Sequence, residues 1–101
     1  MPRPDDGTLT TTQVAELMRV TYRRLDHWLG AGYLTIADRR PGSGSVRRWT
    51  ADEVARARVF AALVHGGVEP RACGEAVLDA LIGPDRFEAR LGVLTVTGEL
   101  P

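Results

Sequence analysis

The sequence predicts a mainly α-helical fold with a small β component: four short helices, a hairpin between the second and third, and a second hairpin near the C-terminus. Three observations carry that reading. Apolar residues recur at helical spacing in four separate stretches. Threonine or proline opens those stretches and glycine closes most of them. Two further stretches are rich in β-branched and aromatic residues and fold back on glycine-containing segments. A chain of 101 residues is the size of one domain, since two cores would each be too small to stay folded.

Residues 1–8 hold two prolines, two aspartates and a glycine, so the ordered fold is expected from Leu9 onward. Thr10, Thr11 and Thr12 offer cap oxygens ahead of Gln13, and Val14, Leu17 and Met18 make the apolar face of a first helix. Thr21 is the natural cap of a second helix. There Tyr22, Leu25, Trp28 and Leu29 repeat at helical spacing, and Gly30 and Gly32 supply the stop. Two short helices only a few residues apart predict the angled helix-turn-helix, with the second as the recognition helix.

Tyr33, Leu34 and Ile36 read as a strand, residues 39–45 as a Gly-Ser loop, and Val46 to Trp49 as the returning strand, together forming a wing. Thr50 and Glu53 fit a capping box that starts a third helix through Val54, Ala57, Arg58, Ala61, Leu63 and Val64, ended by Gly66-Gly67. Pro70 suits the first position of a fourth helix, with Cys73, Ala76, Val77, Ala80 and Leu81 inward and Gly83-Pro84 as its end. Arg86 to Thr97 alternates around Gly92 as a C-terminal β-hairpin. The expected organisation is a winged helix-turn-helix over residues 9–82 and a tail over 83–101.

Formal net charge is zero, yet its distribution is uneven. From Arg19 to Arg58 there are nine arginines against four acids, a net +5, and the remainder of the chain is −5. One basic centre with acidic flanks suits a phosphate-bearing partner. All 13 basic residues are arginine, which composition bias explains as well as function does. A single cysteine, Cys73, makes neither an internal disulfide nor a thiolate metal site, and the two histidines are far apart, so neither metal nor cofactor is expected. No apolar run reaches the roughly 20 residues that span a bilayer, and no signal-peptide core follows the N-terminus, so the expected location is the cytoplasm, at the nucleoid. No nucleophile with a base, carboxylate pair or phosphate loop stands out, and no enzymatic role is expected.

The stretch from Val20 to Trp28, followed by Gly32-Tyr33-Leu34, resembles the recognition-helix signature of MerR-type regulators, and Arg47 to Glu53 resembles that family's wing exit. Leu63 to Val68 is similar to its turn after the third helix. The resemblance covers roughly residues 9–82 and is closest to an actinobacterial subgroup with a Y-R-Q-L-D-Y-W recognition helix and a Gly-Ser-Gly-Ser wing tip. Arg24 and Asp26 stand where the wider family has Thr and Arg.

A recognition helix enters the major groove by its N-terminal residues, where free amides and the positive dipole end also lie. Tyr22, Arg23 and Arg24 occupy that end, and with Leu25, Trp28 and Leu29 inward, Arg23, Asp26 and His27 share the outward face. Arginine forks onto guanine edges, and aspartate accepts from cytosine or orients a neighbouring arginine. The wing contributes Arg39, Arg40 and Arg47, with Ser43 and Ser45 as phosphate donors. Thr12 and Thr21, at the helix starts, complete the candidate DNA-binding set. Trp49 has two readings of equal weight, an indole N–H on phosphate or a core residue under the wing. Cys73 reads as a small buried hydrophobe.

The resemblance implies sequence-specific binding of double-stranded DNA by a small transcription regulator. No sustained heptad pattern follows Gly83, so no coiled coil or ligand-sensing part is expected in this sequence. Self-association on DNA, or a weak homodimer, is the expected assembly, with RNA polymerase or an integrase as the protein partner. An excisionase-like recombination directionality factor shares the fold and basic face. A winged-helix protein-interaction module is the third reading, and salt dependence discriminates it, because arginine contacts to DNA weaken steeply with salt.

Overall fold

The computed structural model describes residues 8–38 and 47–100. Chain order is β1 (Leu9–Thr10), α1 (Thr11–Met18), α2 (Tyr22–Ala31), β2 (Arg48–Trp49), α3 (Ala51–His65), α4 (Pro70–Leu78), β3 (Leu81–Ile82), β4 (Arg86–Leu91) and β5 (Leu94–Glu99). These four helices and small antiparallel strands make a mainly α winged helix-turn-helix with a C-terminal β-hairpin.

α1 begins at a capping box: Gln13 N–H donates to Thr10 Oγ1 at 3.2 Å and the Thr10 amide to Gln13 Oε1 at 2.8 Å. Its inward face is Thr11, Val14, Ala15 and Met18, while Leu17, expected on that face, is 48% exposed. α2 starts on Thr21, whose hydroxyl accepts from the Arg24 amide at 3.1 Å, and buries Leu25 and Trp28. Both helices end in the same left-handed closure. At α2 it uses Gly32 (φ 83°), with Tyr33 N–H donating to Trp28 O at 3.0 Å. At α1 it uses Arg19 (φ 59°), with Val20 N–H donating to Ala15 O at 3.1 Å. An L-residue there costs on the order of 1 kcal/mol relative to glycine.

The chain after α2 departs from expectation. Tyr33–Ile36 forms no strand; Leu34 and Ile36 are buried as side chains of an irregular segment. Trp49 and Arg48 pair instead with the start of the fold, Leu9 opposite Trp49 and Thr10 opposite Arg48. Side chains hold the irregular segment: the Ala37 amide donates to Glu53 Oε2 at 2.6 Å and the Arg48 amide to Asp38 Oδ2 at 2.8 Å.

α3 carries the expected capping box, Thr50 N–H to Glu53 Oε1 at 2.8 Å and Glu53 N–H to Thr50 Oγ1 at 3.3 Å. It buries Ala57, Val59, Phe60, Ala61 and Leu63 and packs against α1, α4 and β3. Phe60 meets Trp28 with ring centroids 4.9 Å apart, a tilted aromatic pair that joins α2 to the core. α4 opens on Pro70 and buries Cys73, Ala76 and Val77, but it stops at Leu78. Ala80 and Leu81, expected inward on that helix, lie beyond it: Leu81 is 68% exposed in β3, because Leu81 and Ile82 pair with Glu88 and Phe87 of β4.

The C-terminal sheet has the order β3-β4-β5 and is antiparallel throughout. Leu91 pairs with Leu94 across a two-residue turn, Gly92 (φ 64°) and Val93. Glycine at the first turn position, with Val93 at negative φ, is the type II′ pattern. Phe87 and Ala89 face inward, and Phe87 lies over Gly98, where a Cβ would meet its ring at 2.7 Å.

Candidate nucleic-acid interface

Burial of Leu25 (0% exposed) and Trp28 (2%) fixes which side of α2 faces out. Arg23, Arg24, Asp26 and His27 are exposed on the other side, and Tyr22 is half-buried at the first turn. Thr21 and Thr12 are exposed as well. The first-turn amides of a helix lack intrahelical acceptors, so two arginines and a positive dipole end converge where α2 begins. The Arg24 guanidinium carbon lies 5.0 Å from the centroid of the Trp28 ring, a cation–π contact that holds this cation along the helix.

Asp26 and the half-buried Arg47 line one open cleft of about 600 Å³ between the C-terminal half of α2 and the segment that follows it, together with Asp38. The fold therefore places Asp26 of α2 beside Asp38 and Arg47, the described residues that flank 39–46. Arg39, Arg40, Ser43 and Ser45 lie outside the described residues.

Trp49 is a correction. Its side chain is fully buried, and the indole N–H donates to Thr11 Oγ1 at 3.0 Å inside the core. The donor is consumed and out of reach of any phosphate, which leaves the core reading of Trp49.

Three residues shape this surface without having been read from the sequence in that role. Thr11 is the acceptor for Trp49 and joins α1 to β2. Glu53, 6% exposed, serves both the α3 cap and the Ala37 amide, so one carboxylate couples the third helix to the segment that follows the recognition helix. Asp38 holds the Arg48 amide, while Arg48 Nε donates to Thr8 Oγ1 at 2.9 Å. Only the capping half of the Glu53 role left a local signal, the T-x-x-E spacing.

Burial pushes the Cys73 thiol up to about 11, partly offset by a backbone hydrogen bond. Its sulfur lies 3.6 Å from Val68 O. Among the described residues no group of three or more His, Cys, Asp or Glu could hold a metal ion, and no helix is long and apolar enough to cross a membrane.

A family model described as MerR HTH family regulatory protein matches residues 9–79, well over half of the chain. No curated protein and no solved structure gives a significant match. With its α1–α2 turn and exposed basic helix start, the chain belongs to the MerR helix-turn-helix family of DNA-binding transcription regulators.

Proposed function

We propose that the chain binds specific double-stranded DNA sites by inserting the N-terminal half of α2 into the major groove. The observation that carries this reading is the pairing of two exposed arginines, Arg23 and Arg24, with the start of a helix pinned to the core by Leu25 and Trp28. Arg23 reads a base edge, with Asp26 and His27 beside it on the same face. Tyr22, Thr21 and Thr12 approach the backbone. Arg24, already held over Trp28, grips phosphate. Arg39, Arg40 and Arg47 extend the contact along the wing, with Ser43 and Ser45 donating to phosphate. The regulator works on DNA inside the cell, with copies associating weakly and RNA polymerase or an integrase as the downstream partner.

Selection of bound duplexes from a random pool, followed by competition of cognate against scrambled DNA, tests the reading. Arg23→Ala is expected to cost about 1–3 kcal/mol on the cognate duplex and to relax preference at one base position. Arg24→Ala is expected to weaken both duplexes alike and to lower the slope of log affinity against log salt by about one unit. Binding to neither duplex by the wild-type protein, or wild-type affinity in both variants, overturns the assignment of α2.

A further inference from the structure

β5 is an open edge. Among the described residues, in the order β3-β4-β5, it pairs on one side only, over the six residues Leu94–Glu99. Its interior holds none of the usual guards against edge pairing: Thr95, Val96, Thr97 and Gly98 include no charge and no proline. At one end of this strand is an apolar tip, with Val93 fully exposed and Leu94 64% exposed. At the other end Glu99 borders a groove of about 480 Å³ whose apolar wall is Leu17, Met18, Ala61 and Ala62. Leu17 is the apolar side chain that α1 leaves half outside.

We infer that β5 pairs antiparallel with β5 of a second copy of this chain, each hairpin tip seating in the groove beside Glu99 of the other. Antiparallel pairing is what brings the tip end of one strand to the groove end of its partner, so knob and socket are self-complementary about a two-fold axis. Register follows from the turn. In a two-residue hairpin the closing pair, Leu91 and Leu94, exchanges hydrogen bonds, and the pattern alternates from there. Thr95, Thr97 and Glu99 therefore turn their N–H and C=O groups toward the open edge. Pairing Thr95 with Thr97 of the second copy satisfies those groups and places Val96 against its own copy on the axis. It sets Leu94 against Gly98, where the Phe87 ring that covers this glycine is the apolar surface nearest to it. The two Glu99 carboxylates sit at opposite ends and do not repel. This deepens the weak self-association included in the proposed function but stands without the DNA reading, because it is measured on free protein.

Sedimentation velocity on the full chain, loaded from about 10 µM to about 1 mM without DNA, is expected to show a reversible monomer–dimer equilibrium. Val93→Asp changes a side chain that is fully exposed in the monomer and is expected to weaken the dimer at least about tenfold. Thr97→Pro removes an outward N–H while sparing the ladder to β4, and is expected to do the same with unchanged circular dichroism; Thr97→Lys replaces it if proline disturbs the hairpin. Register is read by oxidation in a Cys73→Ala background. Val96→Cys cross-links, since facing non-hydrogen-bonded residues have Cα atoms about 4.5 Å apart, and Thr95→Cys does not. A monomer throughout the concentration range, a dimer indifferent to Val93→Asp and Thr97→Lys, or equal cross-linking at 95 and 96 overturns the inference.

Discussion

Thr11 shows how much one hydroxyl can carry. It is fully buried, and its oxygen takes the indole N–H of Trp49, a residue 38 positions away and equally buried. Thr11→Val keeps the shape and deletes the acceptor. A buried donor left unpaired costs about 1–3 kcal/mol, more than the net worth of the bond itself. The midpoint of urea unfolding should fall accordingly, and the double variant with Trp49→Phe should lose less than the two single variants summed. A Thr11→Val protein as stable as wild type would show that Trp49 has another partner. At the same scale, Arg19 occupies a left-handed position that closes α1 but that an L side chain resists.

Among elements, α4 touches the segment that follows α2 by backbone. A Cβ on Gly74 would clash with the Tyr33 carbonyl oxygen and lie 3.1 Å from Tyr33 C. Gly→Ala inside a helix ordinarily stabilises by roughly 0.5–1 kcal/mol. Here the new methyl meets backbone, which cannot step aside, so Gly74→Ala should lower the melting temperature. A rise would mean that the close approach is absent. What the sequence disclosed about the elements was local chemistry. The T-x-x-E box, Thr21, Pro70 and Gly32 each act over three or four residues, and each was legible, whereas at α1 the cap oxygens were legible and the reciprocal Gln13 contact was not. Non-local pairing was not. β1 and β2 are two residues each and nearly 40 positions apart, too short for any periodicity to announce them. The apolar run Tyr33–Ile36 reads as a strand, but Glu53 and Asp38 satisfy the neighbouring amides with side chains instead. On the recognition helix, the outward set Arg23, Asp26 and His27 was legible because Leu25 and Trp28 fix the phase. The equal readings of Trp49 needed its partner to decide them.

For the whole molecule, Cys73 reports on integrity. With the thiol pushed up to about 11, the thiolate fraction at pH 8 is about 0.1%, against roughly a tenth for a group at the ordinary 9.0. Alkylation by iodoacetamide should therefore follow global unfolding, and labelling at the rate of a free thiol would contradict the burial. The same shift has a sign. The folded state favours the neutral thiol, so its contribution to stability is complete below pH 9 and is lost as pH rises toward 11. Comparing alkaline denaturation of wild type and Cys73→Ala isolates that component. The C-terminal sheet belongs to the same core: Phe87, Ala89 and Leu100 pack with the helices, and β4 lies on α4.

Gly74 rests on the Tyr33 carbonyl, and Tyr33 follows directly on the Gly32 cap of α2, so sheet, α4 and recognition helix are seated like parts of one casting. A rotation applied at the hairpin reaches α2 with little slack, because packed backbones transmit displacement where linkers would absorb it. Two such bodies joined through β5 would hold their recognition helices at one geared angle. A stiff pair of that kind accepts half-sites at a single rotational phase of the duplex, where a pair on tethers would tolerate many.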